Sequence, residues 1–134
     1  MEKRVSTYRR KIEYISEKLG RLPTNLEDEF YVDALLYRLH SSIDAIMDII
    51  AMLNKDLGLS LGDDYTNIEN LKNAKVIDEK MAEELKRLNG LRNIIVHKYN
   101  KLDEKIVIES LDEILNIIFS FIEVVENAIQ KIFK

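Results

Sequence analysis

"EDEFYVDALLYRLHSSIDAIMDIIAMLNKDLG", residues 27–58, is the stretch on which the fold turns. Val32, the adjacent Leu35 and Leu36, then Leu39, Ile43, Ile46, Ile50, Leu53 and Leu57 keep to steps of three and four from one turn to the next. That spacing holds for about eight turns, which suits an α-helix and not the alternation of a strand. Gly58 ends the pattern as a glycine just past a helix C-terminus does. A helix of this length cannot bury its stripe against itself, so other helices have to surround it.

The flanking sequence supplies them. Val5, Tyr8, Ile12, Ile15 and Leu19 mark a first amphipathic helix that stops at Gly20, ahead of Pro23. Beyond Gly58, "GLSLGDDYTNIENLKNAKV" offers the turn and cap residues Asp63, Asp64 and Thr66, then a brief apolar pattern at Ile68, Leu71 and Val76, so a loop and a short helix are expected. Asp78 suits an N-cap, and Met81, Leu85, Leu88 and Ile95 predict a long helix from 79 to about 98. Asp103 suits another cap, before a last helix in which Val107, Leu111, Ile114, Ile118, Phe121, Val125, Ile129 and Ile132 run to the C-terminus. The short connections after 58 and after 99 favour antiparallel neighbours. The expectation is an all-α antiparallel bundle of four to five helices, one domain over residues 1–134.

Composition agrees with that class and narrows the function. The 134 residues are 46% hydrophobic and 33% charged, with one proline and four glycines, enough apolar surface for one core. No cysteine is present, which removes thiol nucleophiles, disulfides and cysteine zinc sites and suits a reducing compartment. The N-terminal "MEKRVSTYRRKIEYI" has no apolar run of a secretory signal, and "IMDIIAML" and "ILNIIFSFIEVV" fall short of the roughly 20 residues that a membrane span needs. A soluble cytoplasmic protein is expected. A net charge of −4 works against diffuse binding to nucleic acid, so any phosphate site has to be local. Two groups of cations could supply it: Arg92, Lys98, Lys101 and Lys105, or Arg4, Arg9, Arg10 and Lys11; both also read as solvated helix faces.

The chain has two histidines. Tyr37 stands three residues before His40 and Ile94 three before His97, so the Glu-x-x-His pairs of metal-binding bundles are missing, and no metal or other cofactor is expected. His40 reads as a boundary histidine bonded to a neighbouring carbonyl. Tyr37, Ser41, Asp44 and Asp48 follow steps of four, three and four, a polar ribbon that either lines a cleft or is a solvated face.

His97 has richer company in "RNIIVHKYN", residues 92–100, where Arg92, Asn93, Lys98 and Tyr99 lie within a turn or two. An imidazole that can carry a proton beside a guanidinium that can fork onto phosphate oxygens is what phosphodiester chemistry needs. The same residues also satisfy carbonyls at a helix C-terminus. "LRNIIVHKYNKLD", residues 91–103, resembles the signature of the HepT toxins of the HEPN superfamily: Arg92, four residues, His97, one residue, Tyr99, with Asn93 after the arginine and Asp103 a few residues on. It also sits where that family places it, before the last helix, and the architectural likeness covers nearly the whole chain. Upstream, "IDAIMDII" is similar to a family stretch with acids on the second helix, although Asp44 stands where the longer Glu is expected.

The resemblance implies a metal-independent endoribonuclease toxin, a homodimer with two motif copies facing one cleft, and RNA as substrate. It also implies a nucleotidyltransferase antitoxin of the MntA kind that attaches AMP to the motif tyrosine. Carried over, Arg92 and His97 are catalytic, Asn93, Lys98 and Asp44 support or bind RNA, and Tyr99 is the modified residue. A non-catalytic nucleotide-binding or adaptor module that partners a nucleotidyltransferase, and a purely structural bundle, remain as other readings.

Helical geometry sets a condition on all of this. At about 100° per residue, Arg92 and His97 diverge by roughly 140°, with Arg92 and Tyr99 falling within the Leu88 and Ile95 stripe and Asn93 and His97 sharing a face. A loosened helix end, a long reach by Arg92, or completion by a second copy would resolve it, and we expect the dimer together with the reach of Arg92. Gly90, which weakens a helix interior by roughly 0.5–1 kcal/mol relative to Ala, suggests close approach by a partner chain or RNA.

Overall fold

The computed structural model describes residues 2–97 and 101–134. Six helices form among them: α1 (Glu2–Leu19), α2 (Glu29–Asp56), α3 (Asp64–Asn73), α4 (Glu79–Val96), α5 (Lys101–Glu109) and α6 (Leu111–Ile132). No strand occurs among the described residues, and none of their helices is long and apolar enough to cross a membrane.

The starts and stops have local causes. Asp28, Asp63 and Asp78 cap α2, α3 and α4, their carboxylates accepting from the N–H groups of Phe30 (2.9 Å), Thr66 (2.8 Å) and Met81 (2.7 Å). At the far end of α2, Gly58 takes φ 74°, a left-handed conformation that costs glycine little. There Leu59 N–H reaches Asn54 O at 2.8 Å and Gly58 N–H reaches Lys55 O at 3.1 Å, a Schellman closure that ends the helix where the apolar period ends.

The expected last helix is in fact two. Ser110 Oγ donates to Ile106 O at 2.8 Å while its N–H is shared between Ile106 O and Val107 O, both at 3.1 Å. There the chain divides into α5 and α6, although the same hydroxyl bond of Ser42 to Arg38 O, at 2.8 Å, leaves α2 unbroken. The apolar period carries through this break, which is why the sequence reads as one helix.

α2 is the axis of the bundle. Leu35, Leu39, Ile43, Ile46, Ile49, Ile50 and Leu53 are wholly buried along it, against Ile15 of α1, Ile68 and Leu71 of α3, Leu85 and Leu88 of α4, and Ile114, Ile118 and Phe121 of α6. α1 runs antiparallel to it: Arg4 meets Asp56 at 2.8 Å, Lys11 meets Asp48 at 3.0 Å, and Arg38 donates to Lys18 O at 3.1 Å. Polar stitching sets α3 on α2. Asn54 Nδ2 donates to Asn67 O at 3.0 Å, and Asn70 Nδ2 donates to Asn54 Oδ1 at 2.9 Å. α4 is tied to α3 by the Lys86 to Glu69 ion pair and to α6 by Arg87 Nε on Glu113 at 2.9 Å.

One buried polar group anchors the end where α1 starts and α2 and α6 finish. Tyr8 is fully buried, donates to Asp56 Oδ2 at 2.6 Å, and its ring lies 6.0 Å from that of Phe133. Burial raises the Tyr8 pKa well above that of an ordinary tyrosine, and the hydrogen bond to Asp56 adds to the shift. A raised folded-state value means that this group's contribution is complete below the unfolded-state pKa of about 10 and is lost as pH climbs through the folded value. Tyr8→Phe should therefore cost about 1–2 kcal/mol at pH 7, because Asp56 loses a donor. Denaturant unfolding from pH 7 to pH 11 should show a shallower alkaline loss for Tyr8→Phe than for the wild type; parallel losses would refute it.

Candidate active site

Arg92 and Asn93 belong to the last turns of α4, and His97 is the residue that caps it, its N–H donating to Asn93 O at 3.1 Å. Lys98 and Tyr99 lie outside the described residues. Arg92 is better enclosed than His97, at 27% exposure, and it turns inward across α2 and α3. Its Nε forms an ion pair with Asp44 Oδ1. Nη1 stands 3.6 Å from Asp64 Oδ2 and donates to Asn89 Oδ1 at 3.4 Å. The buried Nε–H is not aligned for a hydrogen bond with the carboxylate, so the Asp44 contact is one of charge more than direction.

His97 faces elsewhere. It is exposed and lines a shallow pocket of about 310 Å³ with Asn93, Ile94 and Asp103. Within one chain the motif is therefore divided: Arg92 joins the acids of α2 and α3, and His97 joins Asn93 and Asp103. This is the divergence that helical geometry requires of positions five apart. The shared face of Asn93 and His97 is present as expected.

The polar ribbon of α2 does line a cleft. Tyr37, Ser41, Asp44 and Asp48 form one wall of a groove of about 540 Å³, and α1 forms the other. His40 departs from expectation, because its Nε2 sits 3.4 Å from Asp44 Oδ2, a carboxylate in place of a backbone carbonyl. Asp44 thus touches Arg92 with one oxygen and His40 with the other. Asp64, a turn or cap residue by its sequence setting, follows the Asp63 cap into the first turn of α3, beside Arg92. Neither His40 nor Asp64 carried a signal of its own; the four-residue step between His40 and Asp44 was the one available sign of their pairing.

Gly90 is open on its own chain's side, where an added Cβ would meet nothing within 4 Å. Among the described residues, no contact accounts for a glycine there.

An all-helical bundle whose fourth helix ends on Arg-x4-His, with the arginine braced by carboxylates of the second and third helices, defines the class of domain. The chain belongs to the family described as Ribonuclease HepT-like, whose model matches residues 5–125. A protein of Archaeoglobus fulgidus provisionally named an RNase is 46% identical over 125 residues, 93% of this chain and 95% of its own length. The mRNA nuclease HepT of Shewanella oneidensis is 28% identical over 127 residues, 92% of this chain and 93% of its own. Among solved structures, the tri-AMPylated HEPN toxin of Shewanella oneidensis in complex with MNT antitoxin matches with a TM-score of 0.71 and 25% identity, over 93% of this chain and 95% of that one.

The Arg92 contact with Asp44 is open to direct measurement. Both side chains keep some solvent, so a double-mutant cycle of Asp44→Ala and Arg92→Ala should give a coupling of about 0.5–1 kcal/mol in denaturant unfolding, falling as salt rises. A coupling of zero would mean that the pair does not form in solution.

Proposed function

We propose that this chain is a metal-independent endoribonuclease toxin that cleaves RNA at a cleft between two copies of itself and is silenced when a nucleotidyltransferase antitoxin attaches AMP to Tyr99. The observation that carries the reading is the division of the motif in one chain. Arg92 is held by Asp44 and Asp64 on one side of α4 while His97 stands on another, so two copies facing each other are the simplest way to bring both to one phosphate.

In that cleft the His97 imidazole takes the proton of a ribose 2′-hydroxyl, the 2′-oxygen attacks phosphorus, and the bond to the 5′-oxygen breaks. His97 of the partner subunit returns a proton to the leaving oxygen; which copy serves as acid is interchangeable by symmetry. Arg92 stabilises the charge that builds on the phosphoryl oxygens. Asp44 keeps the guanidinium in place beforehand, while Asp64, the looser partner at 3.6 Å, is the one that an arriving phosphate displaces. Asn93, on the His97 face, and Lys98 complete the RNA contacts. No metal is required, since the charge a metal would supply comes from Arg92.

An adenylyl group on Tyr99 would bring a phosphate within two residues of His97, where it competes with RNA for the same cations. The carboxylates around Arg92 also favour a second reading, a nucleotide-accepting partner of the transferase that does not cleave RNA.

Incubating the protein with single-stranded RNA in EDTA separates the two. Cleavage is expected for the wild type, falling by at least about 10²-fold for His97→Ala and for Arg92→Ala. Cleavage that neither substitution affects would overturn the site, and none by the wild type would favour the second reading. Co-expression with a nucleotidyltransferase should add AMP units to the intact mass, and Tyr99→Phe should abolish the addition; unchanged adducts on Tyr99→Phe would place the modification elsewhere.

A further inference from the structure

The groove between α1 and α2 plays no part in the proposed chemistry, yet it begins where Arg92 is braced. Asp44, which holds Arg92, is part of its wall. Tyr37 and His40 line both this groove and a second depression of about 290 Å³ that continues over Ile95 and Val96, the two residues before His97. A continuous furrow therefore leads from the end of α4, past His40, into the space between α1 and α2.

We infer that this furrow is a subsite for single-stranded RNA, in which a base stacks against Tyr37 or Tyr14 and the adjoining phosphate is held by Arg10. Four observations converge on that ligand. First, Tyr14 and Tyr37 are 40% and 60% exposed and line the groove from α1 and α2 respectively. Sequence-tolerant binding of single strands relies on such aromatic faces. Second, Lys18 Nζ lies 5.4 Å from the Tyr14 ring centre and 5.2 Å from that of Tyr37, tying the two rings together at one end and adding positive charge.

Third, both acids that line the α1/α2 groove are paired, while Asp33 lines the second depression. Asp48 is paired with Lys11 at 3.0 Å, and Asp44 is shared by Arg92 and His40. Arg10 is the cation left over, since among the described residues its guanidinium meets only the neutral Thr7 hydroxyl, at 3.5 Å. Fourth, Ser41 on the groove wall adds a hydroxyl that can donate to a phosphate or accept from a ribose. This gives the local positive site that an acidic chain needs if it is to hold a polyanion. The groove fits a single strand better than a duplex, because stacking on a side chain needs an unpaired base.

The inference rests on the ribonuclease reading for its ligand, and the experiment keeps the two apart. Binding of a fluorescently labelled single-stranded oligoribonucleotide would be followed by anisotropy in a His97→Ala background, which removes cleavage, with circular dichroism to confirm folding. Tyr37→Ala and Arg10→Ala are each expected to weaken binding about tenfold. Arg10→Ala should also lower the slope of log affinity against log salt by about 0.7, as one lost phosphate contact does for a single strand. Lys131→Ala, on a separate depression between α6 and the connection that follows α3, is expected to leave binding unchanged. Unchanged affinity in both groove variants, no binding by the His97→Ala parent, or an equal loss in Lys131→Ala would each overturn the subsite. Wild-type cleavage in EDTA is scored separately. If it occurs while the groove variants bind normally, only the subsite falls; if it is missing while Tyr37 and Arg10 still govern binding, only the ribonuclease reading falls.

Discussion

Everything in this domain depends on keeping water from α2. Its apolar residues spread well beyond one stripe, with Ala45, Met47 and Ile49 buried alongside Leu35, Ile43 and Ile50, so no single neighbour can cover it. A helix apolar around most of its circumference is stable only at the centre of other helices. α1, α3, α4 and α6 take those places, and their own stripes are buried in the same act. The site inherits its geometry from this: Asp44 lies on α2 where α4 passes close enough to lay Arg92 across it.

The central helix could be read from its sequence because one physical quantity, the period of apolar burial, sets both its existence and its length. The Asp63 and Asp78 caps and the glycine stop at Gly58 were equally legible, since each is a local hydrogen-bonding requirement met by a residue with few other uses there. The break at Ser110 was not, because the apolar period continues straight through it. The hydroxyl that bonds back to Ile106 is indistinguishable in sequence from one that faces solvent.

The site divides along the same line. Arg92, Asn93 and His97 could be singled out because they crowd polar chemistry at the end of an otherwise regular helix, and their angular divergence follows from the helix alone. The partners of Arg92 could not. Asp44 and Asp64 lie 48 and 28 residues before it in the chain, and only the packing of α2, α3 and α4 brings them together. His40 follows the same rule: a four-residue step admits either a carbonyl or a side-chain partner, and only the Asp44 rotamer decides.

The size of Asp44 then becomes informative. Its short side chain leaves the Arg92 guanidinium to span the gap between α4 and α2, so the long flexible partner moves to the acid and the charge pair stays close against the helices. Asp44 also places its second oxygen 3.4 Å from His40 Nε2. A single carboxylate on the central helix so ties the motif arginine to the wall of the α1/α2 groove. Asp44 therefore joins Arg92 and His40 through one side chain, and a ligand that draws Asp44 away from either contact disturbs the other.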